Sequence, residues 1–273
     1  MKTIKSLIPL FTVALMMYSC SSPKLGKDRL DLEKFDLNFD VDAFYADEIK
    51  KGRENMKELE KLEQKREKEG FSEKERKELV KKAWKLLKFK SIEKDTIFNA
   101  QFYEDERSPI GYQYDMWGWN SADSLANYHK MHFHKINMAT SLEGDFMALV
   151  AQSQGEGTED FEAILRYLEQ KHGKVTVKEK NFFRNFPIYY WELDDRLLAM
   201  ISKQQKQANL ILKLSKEATE NNPTTDTIRF NTTHLFILNN QYKHDSIISN
   251  FRSGDWIDFN AVLKKVIFCI LIM

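Results

Sequence analysis

The stretch Phe146-Met-Ala-Leu-Val-Ala-Gln-Ser-Gln-Gly-Glu-Gly-Thr158-Glu-Asp-Phe161-Glu-Ala-Ile-Leu165-Arg-Tyr-Leu168-Glu-Gln-Lys-His-Gly173 decides the fold. Its opening, Phe146 to Gln152, is a short apolar run bounded by turn residues, which predicts a strand. Its second half predicts a helix. Thr158 is the expected N-cap, Glu159 and Asp160 lie in the positive first turn, and Phe161, Ile164, Leu165 and Leu168 share one face. Lys171 and His172 suit the carbonyl-rich end, and Gly173 follows as the residue that ends a helix without a Cβ penalty. A helix with one apolar stripe must cover something, and the neighbouring strands make a sheet its partner.

Further strands lie on both sides. Tyr112, Tyr114 and Met116 alternate with Gln113, Asp115 and Trp117. Tyr128 to Met138 predicts another strand, and the turn Ser141-Leu-Glu-Gly-Asp145 folds the chain back into Phe146. After the helix come Ile188 to Leu193, the turn Asp194-Asp195, and Arg196 to Lys203, with Leu210, Leu212 and Leu214 at period two. Ile228 to Leu238 is a strand beyond the loop Asn221-Asn-Pro-Thr-Thr225. Parallel neighbours would need a helix between successive strands. The predicted class is therefore α+β, an antiparallel sheet packed against one main helix, over residues 91–265.

Ahead of this domain, residues 46–90 contain 16 basic and 11 acidic residues, two glycines and no proline. They predict a charged helical hairpin. Ile49, Met56, Leu59 and Leu62 give the first helix a thin apolar stripe; Gly70 separates the helices, and Ser72-x-x-Glu75 is a capping box. Leu79, Val80, Ala83, Trp84, Leu86 and Leu87 give the second a broader face. The apolar repeat fails to last three heptads, so a solvated hairpin is favoured over a coiled coil. Residues 20–45 carry Leu30, Leu32, Phe35, Leu37 and Phe39 without a helical period and predict an extended tether, with a strand docked on the main body through Leu37, Phe39 and Val41 as the alternative. Residues 266–273 are wholly apolar, too short to span a bilayer, and predict a buried end of the domain.

The leader narrows the location. Lys2 and Lys5 precede an apolar run from Ser6 to Tyr18, and Ser19 stands before Cys20. This is the layout of an export signal, and it resembles the lipobox of secreted bacterial lipoproteins, with Met17 and Tyr18 departing from the usual residues. The resemblance covers residues 1–20 and implies cleavage before Cys20 and diacylation of its thiol. It further implies a place in the cell envelope, at the outer membrane facing the periplasm. An ordinary secretory signal cut near Ser21-Ser22 and an uncleaved anchor are the alternatives. The tripeptides Asp95-Thr-Ile, Asp123-Ser-Leu, Asp226-Thr-Ile and Asp245-Ser-Ile resemble the O-glycosylation signal of exported Bacteroidota proteins, so glycan is a further expectation.

The leader holds two of the 42 basic residues and none of the 41 acidic ones, so the chain from Cys20 onward is nearly neutral. That argues against nucleic acid, whose phosphates call for a concentrated basic excess. Cys20 and Cys269 are the only cysteines; with lipid on Cys20 no intramolecular disulfide can form, and a cysteine zinc cluster is excluded.

Candidates for chemistry are few. His129, His132 and His134 lie close in sequence, and on a continuous strand His132 and His134 would share a face and could hold a metal with a third ligand from elsewhere. Glu192, Asp194 and Asp195 gather three carboxylates at a strand end, where a solvated turn is the simpler account. Gln154-Gly-Glu-Gly157 lacks the third glycine and the lysine of a phosphate loop, and no Gly-x-Ser-x-Gly occurs. Tyr112 to Trp119 and Tyr189, Tyr190 and Trp191 are aromatic enough to offer a ligand platform where they face out. No cofactor is expected. The leading expectation is a lipid-anchored, non-catalytic binding or assembly module whose partners are the membrane, an envelope protein and, through its rings, a glycan. An immunity or inhibitor lipoprotein against a toxin and a metal-dependent hydrolase using His132 and His134 are the alternatives.

Overall fold

A computed structural model describes residues 22–68, 72–87, 91–99, 107–117, 122–178, 186–210, 225–243 and 256. The leader, Cys20, Cys269 and the apolar end 266–273 lie outside the described residues, as do Gly70, Trp119, Leu212 and Leu214.

In chain order the elements are β1 (Leu30–Asp31), a 3-10 turn (Leu32–Lys34), α1 (Val41–Lys68), α2 (Glu73–Leu87), β2 (Ser91–Phe98), β3 (Pro109–Trp117), β4 (Ala126–Tyr128), β5 (Met131–Phe133), β6 (Lys135–Thr140) and β7 (Phe146–Gly155). They continue with α3 (Glu159–His172), β8 (Thr176–Lys178), β9 (Ile188–Glu192), β10 (Arg196–Leu210), β11 (Thr225–Asn239) and a 3-10 turn (Asn240–Tyr242). Eight strands form one sheet in the order β2-β3-β6-β7-β11-β10-β9-β8, and β1-β4-β5 make a small second one. Every neighbouring pair of the large sheet is antiparallel, so the class is α+β as the strand spacing predicts. The chain runs out along β2, β3, β6 and β7, crosses to the far edge through α3, and returns through β8 to β11, which closes against β7 with Leu149 opposite Ile237.

The centre of the sheet is covered on both sides, which is why Phe146 to Ala151 are apolar without alternation. On one face Tyr114, Met138, Leu149, Met200 and Ile237 share a core with Phe161, Ile164 and Leu168 of α3, which are buried as its stripe predicts. On the other, Ala148, Val150, Ala199 and Phe236 pack with Trp256, whose indole N–H donates to Asp115 at 3.2 Å. Gly173 ends α3 at φ 86°, and its N–H donates to Glu169 O. Thr158 takes the Glu162 N–H on its carbonyl at 2.9 Å, but its side chain caps no backbone N–H; the hydroxyl donates to Glu162 Oε1 at 3.0 Å.

Two expectations need correction. Residues 25–45 are not a tether: Leu25, Leu30, Leu32, Phe35, Val41, Phe44 and Tyr45 are all buried under the same face as α3, and β1 pairs in parallel with β4. The segment docks, but not as a strand: Leu37 and Phe39 are half-buried in the irregular stretch ahead of α1, and Val41, fully buried, is the first residue of that helix. Burying these rings removes far more apolar area from water than an extended segment could leave exposed without cost. The strand expected from Tyr128 to Met138 is broken into β4, β5 and β6, because His129 turns the chain at φ 52° and His134 interrupts it again.

Candidate functional site

The least buried part of the described chain is the helical pair. The first turns of α1 belong to the core: Asp40 Oδ1 accepts from the Ala43 N–H at 2.8 Å, and Val41, Phe44 and Tyr45 are buried. Tyr45 donates to Ile136 O at 2.7 Å and stacks on Tyr114 at 5.4 Å between ring centres. From Ala46 to the end of α2, no described side chain is buried. At 1.5 Å per residue α1 is about 42 Å long, so most of it stands away from the sheet with α2 folded back along it.

The arm has its own local order. The Ser72 N–H donates to Glu75 Oε2 at 3.0 Å and the Glu75 N–H to Ser72 Oγ at 3.5 Å, the two legs of the predicted capping box, and the Ser72 hydroxyl adds a bond to Glu75 Oε2 at 2.6 Å. Lys82 bridges to Glu58 at 2.7 Å and joins the two helices. Their apolar stripes meet along a groove of about 650 Å³ lined by Met56, Leu59, Leu62, Leu79, Val80 and Ala83. Met56 is 55% and Val80 52% exposed, so the groove is open to solvent. Beside it the seam carries Lys65, Lys74, Lys81 and Lys82.

A polar cluster fixes the root of this arm to the sheet. Asp42 Oδ1 accepts from Lys94 Nζ at 2.7 Å and from the Tyr114 hydroxyl at 2.6 Å. Burial works to raise the Asp42 carboxyl, but the hydrogen bonds from Lys94 and Tyr114 outweigh it and hold it below its ordinary range. The Tyr114 phenol is pushed well up, first by burial and then by Asp42, so it remains a donor at neutral pH.

A second cluster clamps the docked N-terminal segment onto α3. The Glu33 carboxylate accepts from the Tyr167 hydroxyl and from Lys171 Nζ at 2.7 Å; His129 stacks on Tyr167 at 3.8 Å, and Tyr128 Oη lies 3.2 Å from His172 Nε2. Hydrogen bonds from Lys171, then Tyr167, lower the Glu33 carboxyl below its ordinary value of 4.5. A depressed folded-state value means that the clamp's contribution is complete above the unfolded value and is lost as pH falls through the folded one. Thermal melts of the wild type should therefore lose stability below about pH 4.5, and Glu33→Gln should flatten that part of the profile. Coincident acid limbs for the two proteins would refute this assignment.

The structure does not bring the expected metal ligands onto a common face. His132 is exposed with Nδ1 3.2 Å from Ser124 Oγ, whereas His134 is buried, because β5 ends between them. Among the described residues no group of three His, Cys, Asp or Glu side chains is placed to hold a metal ion. Glu192 pairs with Lys243 at 3.0 Å and Asp195 with Arg196 at 2.6 Å, so two of the three carboxylates at the strand end are held in ordinary ion pairs. Of the aromatic stretches, Tyr114 and Trp191 are buried, Tyr112, Tyr189 and Tyr190 are half-buried, and Trp117 is 57% exposed. Within the tripeptides, Thr96 is exposed on the edge strand β2 and Ser124 is half-buried; Asp245 lies outside the described residues.

No family model matches the chain, and neither the curated proteins nor the solved structures contain a match. Among the described residues no helix is long and apolar enough to cross a membrane.

Proposed function

We propose that the protein is a lipid-anchored, non-catalytic binding or assembly module of the bacterial cell envelope, held by Cys20 and making its protein contacts through the arm of α1 and α2. The observation that carries the reading is the open groove: Met56 and Val80 are more than half exposed on helices that bury none of their described side chains from Ala46 onward. A two-helix arm gains little from packing on itself, and exposed apolar residues on a charged scaffold suit a surface completed by a partner. The envelope location rests on the leader and the Ser19-Cys20 pair.

The test is cross-linking of the full-length lipidated chain in envelopes, beside Met56→Glu/Val80→Glu. Both positions are exposed, so the double variant should keep the wild-type urea midpoint while losing a cross-linked envelope protein by at least about tenfold, a loss of about 1.4 kcal/mol or more. An unchanged cross-linking pattern would remove the arm as the contact surface.

A further inference from the structure

The docked N-terminal segment changes how an anchored domain meets its membrane. Lys24 is already fixed: its N–H donates to Asp28 Oδ2 at 2.9 Å, and the Lys27 and Asp28 N–H groups donate back to Lys24 O. The Leu25 N–H then donates to Phe44 O at 3.0 Å, and Lys24 and Lys27 both reach Asp47 on α1, at 3.1 and 2.9 Å. Four residue steps separate Cys20 from Lys24, a reach of at most about 14 Å. A flexible leash over all of residues 20–45 would instead let the domain wander over roughly 28 Å r.m.s..

From this we infer that the domain is held against the lipid headgroup layer by a leash of four residues, with the turn Lys24–Asp28 and the adjoining side of α1 as its membrane-facing surface. The inference rests on the anchoring of Cys20 proposed above. The face has the right chemistry for phosphate headgroups. Lys24, Lys27, Arg29, Lys50 and Lys51 outnumber Asp28, Asp47 and Glu48 there; Asp47 serves both Lys24 and Lys27, Glu48 pairs with Lys51 at 3.4 Å, and Arg29 Nε donates to Ser124 O at 3.3 Å. Lys50 lies three residues beyond Asp47 and Lys51 four, so both share its side of the helix. A short leash also roots the arm at the membrane face.

The experiment uses the full-length lipidated chain with Cys269→Ser and a fluorophore on Lys50→Cys, placed in vesicles carrying a contact-range nitroxide quencher on phospholipid headgroups. It is compared with the same chain carrying twenty Gly/Ser residues between Ser22 and Pro23, an insertion outside the hydrogen-bonded turn that adds roughly 25 Å r.m.s. of freedom. Quenching should be strong with the native leash and fall by at least about twofold with the insertion. Equal quenching of the two chains, with a diacylglyceryl mass on Cys20, would overturn the short leash and leave the anchor standing. A chain purified from its envelope without that mass would overturn both.

Discussion

Phe44→Ala should lower stability by about 3–5 kcal/mol, the cost of truncating a phenylalanine in a core that cannot collapse around the void. Phe44 is 1% exposed, meets Tyr45 at 4.8 Å and Phe39 at 5.4 Å between ring centres, and its carbonyl holds the Leu25 N–H. Phe39 continues the chain of rings to Phe35 at 5.0 Å, and Phe35 to Phe146 of β7 at 4.9 Å. The cavity would therefore open where the N-terminal segment, the root of α1 and the sheet meet. A urea titration with unchanged slope and a lower midpoint is the expected record. If residues 22–45 were a solvated leash, the same change would cost within about 0.5 kcal/mol, so the measurement separates the two arrangements.

The sequence made the large sheet legible because its strands carry short-range signals. Tyr112 to Trp117 alternate, Ser141 to Asp145 make a turn with Gly144 at φ 95°, and the helix from Glu159 to His172 announces both its stripe and its end. Antiparallel pairing follows from such signals, since its connections can be short. The N-terminal segment was opaque for the opposite reason. Leu25, Leu30, Leu32 and Phe35 keep neither helical nor strand period because they serve a turn, a two-residue strand and a 3-10 turn in succession, and their burial depends on partners up to about a hundred residues away. The histidine pair failed where β5 ends, between His132 and His134. His129 adopts a left-handed conformation that non-glycine residues rarely take, the strand breaks there and again at His134, and the period-two argument lapses. One signal for the break was present: the pair His129-Lys130 is the polar interruption between Tyr128 and Met131. The arm's charge and thin stripe were legible in composition, but the exposure of Met56 and Val80 depends on how α1 and α2 face each other.

Excising the arm should separate binding from folding more sharply than any point change. Glu58 lies opposite Lys82 across the seam, and α1 enters the arm beside the strand, β2, that follows it. A short Gly/Ser loop in place of residues 53–86 then has only the spacing between packed helices to bridge, about 8–10 Å. No described side chain in that span is buried, so the remaining domain should keep its stability to within about 1 kcal/mol, read as nearly superimposable thermal melts. Cross-linking to the envelope protein proposed as partner should disappear. Collapse of the melt would mean that the arm holds the sheet together beyond the Asp42, Lys94 and Tyr114 cluster at its root, while retained cross-linking would move the contact surface to the sheet, where Trp117 and Phe98 are exposed rings to replace next. The domain's stability resides in the two cores around the sheet.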